Sequence, residues 1–219
     1  MMDNSPRPPR TIWIGFVFLF GFITLAFLAW FVQIARHQLL PLRAIGPVAN
    51  FMLTNQDGKI TSLGDFTNHV WVADIIFTRC AGPCPRLTQQ MRSLQNLLPA
   101  SSPAKLVTLT TDPGYDAPEV LKKYGARFGA DFNRWAFLTG AKSEIAALAG
   151  GSLKLSAQPV KPEERRNEAD LFIHTTIFVI VDKHAQLRGF FETGGDGVDW
   201  TNSVQPQLLQ AVRLLEIEP

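Results

Sequence analysis

The stretch from residue 70 to residue 98 constrains the fold of this chain more than any other. Its first part, 70–77, is apolar apart from one aspartate and rich in β-branched side chains, which predicts a strand buried on both faces of a sheet. In its last part, 86–98, apolar residues recur at helical spacing, which predicts an amphipathic helix. Both cysteines of the chain, Cys80 and Cys84, lie between these two elements. The stretch therefore places both thiols where a strand ends and a helix begins.

The position of Cys80 and Cys84 changes the chemistry expected of them. Unpaired amide groups and the positive end of the helix dipole stabilise a thiolate, which predicts thiol pKa values lowered from about 8.5 toward neutrality. A thiolate is both a nucleophile and a metal ligand, so the pair indicates redox exchange or metal capture. Three residues separate the cysteines, one more than in the thioredoxin-type motif, which leaves room for an ion between the sulfurs. Inert buried thiols or a structural disulfide are the alternatives.

A long run without charged side chains precedes this stretch, over residues 12–32. About 20 apolar residues are enough to cross a bilayer as a helix, so we predict a transmembrane anchor here. Trp13 and Trp30 fit the preference of aromatic residues for the two membrane interfaces, and no small-x-small cleavage site of a signal peptide follows the run. The anchor would join a short basic tail, 1–11, to a juxtamembrane linker, 33–46.

The charged residues argue against nucleic acid as a partner, and the N-terminal tail indicates the kind of membrane. The net charge is +2 and the basic residues are dispersed, which argues against binding of nucleic acid. Arg7 and Arg10 precede the apolar run while Arg36 and Arg43 follow it, so the positive-inside rule does not decide the orientation. The N-terminal tail lacks the length and the Arg- and Ser-rich character of an organelle presequence, which favours a bacterial inner (cytoplasmic) membrane over a mitochondrial one.

Residues 47–219 are predicted to form a single α/β domain. Besides the elements named above, the patterns predict strands at 51–54, 59–62, 105–110, 135–138, 177–181 and 187–191, helices at 118–128, 145–149 and 203–215, and an exposed loop at 158–168. This order is typical of a thioredoxin-like domain, a central mixed sheet flanked by helices. The carboxyl ends of its strands would gather Cys80, Cys84, Asp112 and the loop before Ile177 at one edge.

One histidine stands out among the four in the chain. His37 falls in the predicted linker, His69 directly before the predicted strand over residues 70–77 and His184 in a hairpin turn. His174 directly precedes a predicted buried strand, on the loop that faces the cysteine turn in a thioredoxin-like fold. A loop histidine is more often a solvated surface group, but opposite a cysteine pair His174 becomes the candidate third metal ligand.

Six segments resemble blocks of the SenC/Sco family, in the same order. They are residues 51–58, residues 77–80, the CxxxCP motif of Cys80, Cys84 and Pro85, Asp112-Pro113 with Asp116, residues 135–140, and the His174 loop. Members of that family are membrane-anchored thioredoxin-like proteins that deliver copper during cytochrome c oxidase assembly. One position departs from the family pattern, because Ala81 takes the place of the proline that usually follows the first cysteine.

The resemblance implies a copper site made of Cys80, Cys84 and His174. It also implies a domain that faces the periplasm, with the copper-site subunit of cytochrome c oxidase and a thiol reductant or upstream copper donor as partners. The donor set supports this implication, since two soft thiolates and an imidazole suit Cu(I) and can also hold Cu(II). A structural zinc site would require a fourth protein ligand.

Two other functions use the same residues. A thiol–disulfide oxidoreductase would use Cys80 and Cys84 as catalytic residues and keep the cysteines of the oxidase copper site reduced. Thioredoxin-type reductases usually place a cis-proline before the strand equivalent to the one at Ile177, whereas this chain has Thr176, which favours metal handling. A copper- or redox-responsive binding module is the third possibility. The roles of four further residues stay open at this stage: Asp74, Arg79, Asp112 and Asp116.

Overall fold

The structure is a computed structural model that describes residues 10–37, 42–155, 157–159, 172–174 and 176–219. The chain divides into two compact units, Met1–Pro41 and Leu42–Pro219. Each unit is described by itself below.

The described part of the first unit is the helix α1 (Arg10–His37), which covers the predicted anchor. The large apolar side chains of Phe18, Phe22 and Leu25 are each about 70% exposed or more. Among the described residues, no helix combines the length and the apolar character needed to cross a membrane. The transmembrane anchor over 12–32 therefore stays a prediction.

A mixed sheet of eight strands runs through the second unit. In chain order its strands are β1 (Gly46–Pro47), β2 (Met52–Asn55), β3 (Ile60–Ser62), β4 (Trp71–Ile76), β5 (Lys105–Thr110), β6 (Trp135–Thr139), β9 (Ile177–Val181) and β10 (Gln186–Glu192). Their order across the sheet is β1-β10-β9-β4-β5-β6-β2-β3, with β4, β5 and β6 parallel and the other pairings antiparallel. Two further strands, β7 (Ala157–Pro159) and β8 (Phe172–His174), form a separate antiparallel pair.

In the described part of the second unit, three α-helices alternate with β4, β5 and β6, and a fourth follows β10. They are α2 (Cys84–Leu97), α3 (Pro118–Arg127), α4 (Lys142–Ala146) and α5 (Gln205–Ile217). Short π-helical turns extend α4 over Ala147–Ser152 and precede α5 over Trp200–Val204, and a 3₁₀ turn covers Leu63–Phe66. Proline occupies the first turn of α2, α3 and α5, where its missing N–H costs nothing.

Every residue of β4 is buried, as the sequence predicts. On one face Val72 and Ile76 pack in the same apolar cluster as Leu87, Met91 and Leu94 of α2. Each such side chain contributes about 1.5–3 kcal/mol by leaving water. The packing of α2 on β4 therefore fixes the turn between them, which carries both cysteines.

The opposite face of β4 belongs to a second apolar cluster. Trp71, Ala73 and Ile75 lie there together with Ile145 and Leu148 from the α4 region. Because successive side chains of a strand point to opposite faces, one strand supplies both clusters. The sheet is therefore covered on both sides, as expected for a strand without alternating polarity.

Two local predictions differ in outcome. The predicted hairpin between β2 and β3 is confirmed, and Gly58 in its turn has the left-handed φ of 73° that glycine tolerates. The predicted exposed loop over 158–168 is wrong at its start, because Gln158 and Pro159 belong to β7 and pair with Ile173 and Phe172. The pairing partner is distant in sequence, so local composition did not reveal it, and the rest of that loop lies outside the described residues.

Candidate metal and thiol site

Two segments of the chain meet where β4 and β5 end. The turn after β4 carries Cys80, and the loop between β5 and α3 carries Asp112 and Asp116. A backbone hydrogen bond holds the two segments together, because the amide of Thr111 donates to the carbonyl of Ile76 at 2.8 Å. Asp112 contacts Arg79 in the turn that carries Cys80, so the predicted meeting of Asp112 with this turn is observed.

The two cysteines are close together but lie in different surroundings. Cys84 is the first residue of α2 and is fully buried in the apolar cluster beneath it, whereas Cys80 is half-buried in the preceding turn. The amide of Gly82 donates to Cys80 Sγ at 3.3 Å, and the side chains of Cys80 and Cys84 share a hydrogen bond. Both are thiols here, not a disulfide. The pair therefore combines the accessible sulfur of Cys80 with the buried sulfur of Cys84.

The expectation of a lowered thiol pKa is wrong for Cys84. Burial raises the pKa of this thiol well above its ordinary value, because an apolar environment disfavours the thiolate, and the hydrogen bond with Cys80 raises it further. The helix N-terminus does not overcome this desolvation. Without a cation to compensate the charge, Cys84 therefore stays protonated at neutral pH.

Asp116 connects the β5–α3 loop to the cysteine turn. Its fully buried carboxylate accepts a hydrogen bond from the amide of Thr78 at 3.1 Å and two short ones from the hydroxyls of Thr78 and Thr110. Burial raises the pKa of Asp116, and these hydrogen bonds oppose the rise only in part. Asp116 therefore joins the turn after β4 to the end of β5 by hydrogen bonds inside the fold.

Arg79, beside Cys80, contacts the same loop from the solvent side. Its guanidinium lies 2.5 Å from the Asp112 carboxylate and 4.1 Å from the centroid of the Tyr115 ring. The hydrogen bond with Asp112 raises the pKa of Arg79. The charge of Arg79 is therefore paired with Asp112 and not simply solvated.

Asp74 belongs to a polar chain within the core. It is fully buried in β4 and accepts a hydrogen bond from the Thr108 hydroxyl at 2.7 Å. The indole N–H of Trp135 in turn donates to the Thr108 oxygen at 2.9 Å. Asp74 thus links three neighbouring strands through side chains.

Thr176, in the loop before Ile177, is connected to α2, as the predicted gathering at this edge requires, but the connecting residues Thr193 and Gly194 were not predicted. Thr176 directly precedes β9, and its carbonyl accepts hydrogen bonds from the amide and the hydroxyl of Thr193, each at 2.8 Å. The side chain of Gln90 in α2 donates to the Thr193 carbonyl at 2.9 Å. Gly194 leaves the space that the Arg86 guanidinium occupies, since a Cβ there would lie 2.2 Å from Arg86 Nη2. These contacts join residues far apart in sequence, so no local pattern announces them.

The described histidine side chains do not complete a metal site. The backbone of His174 lies in β8 opposite Ala157, but its side chain is outside the described residues. His184 contacts the carbonyl of Pro219 at 3.2 Å in the turn between β9 and β10, and His69 precedes β4. Among the side chains that the structure describes, no three His, Cys, Asp or Glu residues form a cluster able to hold a metal ion. His174 as third ligand therefore stays a prediction.

A mixed sheet covered by helices, with a cysteine pair where a central strand meets a helix, defines a thioredoxin-like α/β protein. A family model described as SCO1/SenC matches residues 44–208, which include Cys80, Cys84 and His174. The chain belongs to the SCO1/SenC family.

Similar proteins agree with this assignment. A SCO1 protein homolog of Bacillus subtilis is 39% identical over 136 residues, which cover 61% of this chain and 67% of that protein. A protein of Stutzerimonas stutzeri whose name proposes copper binding is 31% identical over 63% of this chain and 64% of its own length. The solved structure of BsSco, described as a member of the Sco family of cytochrome c oxidase assembly proteins with a disulfide switch, is 30% identical, with a TM-score of 0.66 over 80% of this chain and 97% of that one.

Proposed function

We propose that this protein is a copper metallochaperone that binds one copper ion through Cys80, Cys84 and His174 and delivers it to cytochrome c oxidase during assembly. The observation that carries the proposal is the pair of hydrogen-bonded thiols at the β4–α2 junction, one half-buried and one fully buried. Membership of the SCO1/SenC family and the name of the Stutzerimonas relative support copper as the cargo.

The chemistry of the pair suits a soft, monovalent cation. Cu(I) prefers thiolate ligands and low coordination numbers, and binding would displace the protons of Cys80 and Cys84. The raised pKa of Cys84 makes that displacement dependent on pH, so copper is held more weakly as the solution becomes acidic. A site with three protein ligands keeps a position open, through which the thiolates of an acceptor can enter before the metal leaves.

The decisive experiment is a Cu(I) titration of the reduced, full-length chain against a competing chelator without oxygen. We expect one equivalent to bind tightly, with an affinity at least tenfold lower in His174→Ala, or about 1.4 kcal/mol. The matched control is His184→Ala, which removes a histidine in a turn of the same domain and leaves the affinity unchanged.

Transfer is tested separately from binding. The copper-loaded chain is mixed with the reduced copper-site domain of an oxidase subunit, and the metal content of the two proteins is measured after separation. Copper that stays on the donor contradicts delivery, and weak binding that is indifferent to His174 contradicts the metal site itself.

A second function is favoured by the hydrogen bond between Cys80 and Cys84. As a thiol–disulfide oxidoreductase, the accessible Cys80 would attack a disulfide of the acceptor and Cys84 would resolve the mixed disulfide. Two electrons pass to the acceptor, which gains two thiols while Cys80 and Cys84 become a disulfide. The disulfide switch named for BsSco supports this reading, and reduction of an oxidase peptide that is unaffected by His174→Ala would establish it.

We also propose the location and division of the chain. Residues 12–32 would anchor it in a bacterial inner membrane after the tail 1–11, and residues 47–219 would face the periplasm beyond the linker 33–46. The uncharged run between Trp13 and Trp30 supports the anchor. Alkaline extraction of membranes from the native host, together with protease accessibility of intact spheroplasts, tests both parts.

A further inference from the structure

Asp116 is a buried charged group that the proposed ligand set does not use. It lies far beyond Cys84 in sequence, yet its carboxylate accepts hydrogen bonds from Thr78, two residues before Cys80. A buried carboxylate is costly unless its oxygens are hydrogen-bonded. Here three hydrogen bonds meet that requirement, and two of the three come from Thr78.

The remaining hydrogen bond fixes Asp116 to a rigid element. Thr110 is the last residue of β5, fully buried between β4 and β6 in the sheet. Its hydroxyl donates to Asp116 and accepts from the amide of Asp112 at 3.0 Å. Asp116 therefore links Thr78 to the end of β5 through hydrogen bonds.

Thr78 lies in the same turn as Cys80, so its position influences the position of Cys80. It lies two residues after the end of β4 and two residues before Cys80, whose own amide donates to the carbonyl of Phe77 at 3.2 Å. Cys84 is held in a different way, by its burial at the start of α2. The relation between the two sulfurs thus depends on two independent supports, and Asp116 belongs to the one under Cys80.

We propose that Asp116 is a positioning residue for Cys80, which holds the turn after β4 so that the Cys80 sulfur is pre-set beside Cys84 for metal binding. The inference rests on the metal-binding function proposed above. Residues that orient metal ligands without touching the metal affect affinity strongly, because an unsupported ligand must be ordered when the metal binds.

The experiment compares Asp116→Ala, Asp116→Asn and Thr110→Val with the wild type in the full-length, reduced chain. We expect Cu(I) affinity to fall about 10–100-fold in Asp116→Ala and less in Thr110→Val, which removes one of the three hydrogen bonds. A second readout without metal is the rate at which iodoacetamide alkylates Cys80, followed by peptide mass spectrometry. We expect this rate to change at least threefold in Asp116→Ala, because the turn is no longer held.

Asp182→Asn is the matched control. Asp182 is also buried and accepts hydrogen bonds from the amides of His184 and Gln186 and from Arg188, but it follows β9 at the end of the sheet away from the cysteines. A general loss of stability would move Cu(I) affinity and alkylation equally in both sets of variants. We expect Asp182→Asn to lower the unfolding free energy and leave both site readouts unchanged.

The outcomes separate this inference from the proposed function. Wild-type affinity and alkylation in Asp116→Ala, or equal changes in Asp182→Asn, overturn the positioning role while copper binding stands. If the wild type binds no Cu(I), the metal function falls, and the alkylation rates alone decide whether Asp116 positions Cys80. Should Asp116→Ala fail to fold, Asp116→Asn and Thr110→Val provide the same comparison.

Discussion

The carbonyl oxygen of Thr176 accepts two hydrogen bonds from Thr193, one from its amide and one from its hydroxyl, each at 2.8 Å. Thr193 is 2% exposed, and its own carbonyl accepts from the side chain of Gln90 in α2. The helix that begins at Cys84 is therefore connected to the backbone two residues after His174. The two thiols and the predicted ligand His174 would therefore share one structural support.

Replacement of Thr193 by Val tests that connection. The substitution keeps the shape of the side chain but removes the hydroxyl hydrogen bond, so the segment before β9 is held less firmly. We expect Cu(I) affinity to fall by a factor of about 3–10, since a hydrogen bond contributes about 0.5–1.5 kcal/mol. Thr61→Val, at a buried threonine in β3, is the control and should leave affinity unchanged. Equal affinities in all three proteins would show that Thr193 does not influence the site.

The ion pair of Arg79 and Asp112 should contribute little to stability. Arg79 is 43% exposed, so solvent and salt screen the pair even though the contact is short. In a double-mutant cycle with Arg79→Ala and Asp112→Ala, we expect a coupling of about 0.2–1 kcal/mol in urea unfolding that decreases at 1 M salt. A coupling above about 2 kcal/mol that is insensitive to salt would contradict this assessment.

The pair formed by Arg188 and Asp182 should behave differently. Both side chains are less than 10% exposed, and Arg188 also contacts Glu218 and the carbonyl of Leu42. Arg188→Met leaves Asp182 as a buried charge without its cation, which typically costs about 3–5 kcal/mol. Urea unfolding measures the loss, with Arg79→Met as the exposed control. A loss below about 1 kcal/mol would show that water or another group replaces the guanidinium.

The buried thiol of Cys84 predicts how stability depends on pH in the reduced, metal-free protein. Its folded pKa is raised above the reference value of 9.0, so the folded state keeps a proton that the unfolded state releases. Stability is therefore retained below about pH 9 and falls as the pH rises above that value. Urea unfolding between pH 7 and 10 should show this fall in the wild type and a smaller one in Cys84→Ala. Parallel pH curves for the two proteins would show that burial does not raise the pKa of Cys84.

Much of the fold could be predicted because local patterns carried it. β5 (Lys105–Thr110) and β9 (Ile177–Val181) have the bounds that their β-branched runs predict, and α3 begins at Pro118 as its helix-start pattern indicates. The position of Cys80 and Cys84 followed from the β-branched composition of the strand and the helical periodicity after it. Less could be predicted for β7, since three residues that include a proline become a strand only through the partner β8.

The sequence by itself determined the class of fold, the family resemblance and the two thiols at the strand–helix junction, because hydrophobic period and residue type are local properties. Only the tertiary structure decided that Cys84 is buried with a raised pKa, that Asp116 supports Thr78, and that Thr193 joins Thr176 to α2. Each of these depends on segments that are distant along the chain and become neighbours only when the sheet and its helices pack together. Burial and hydrogen-bond partners are properties of that packing, so they become visible only once the chain has folded.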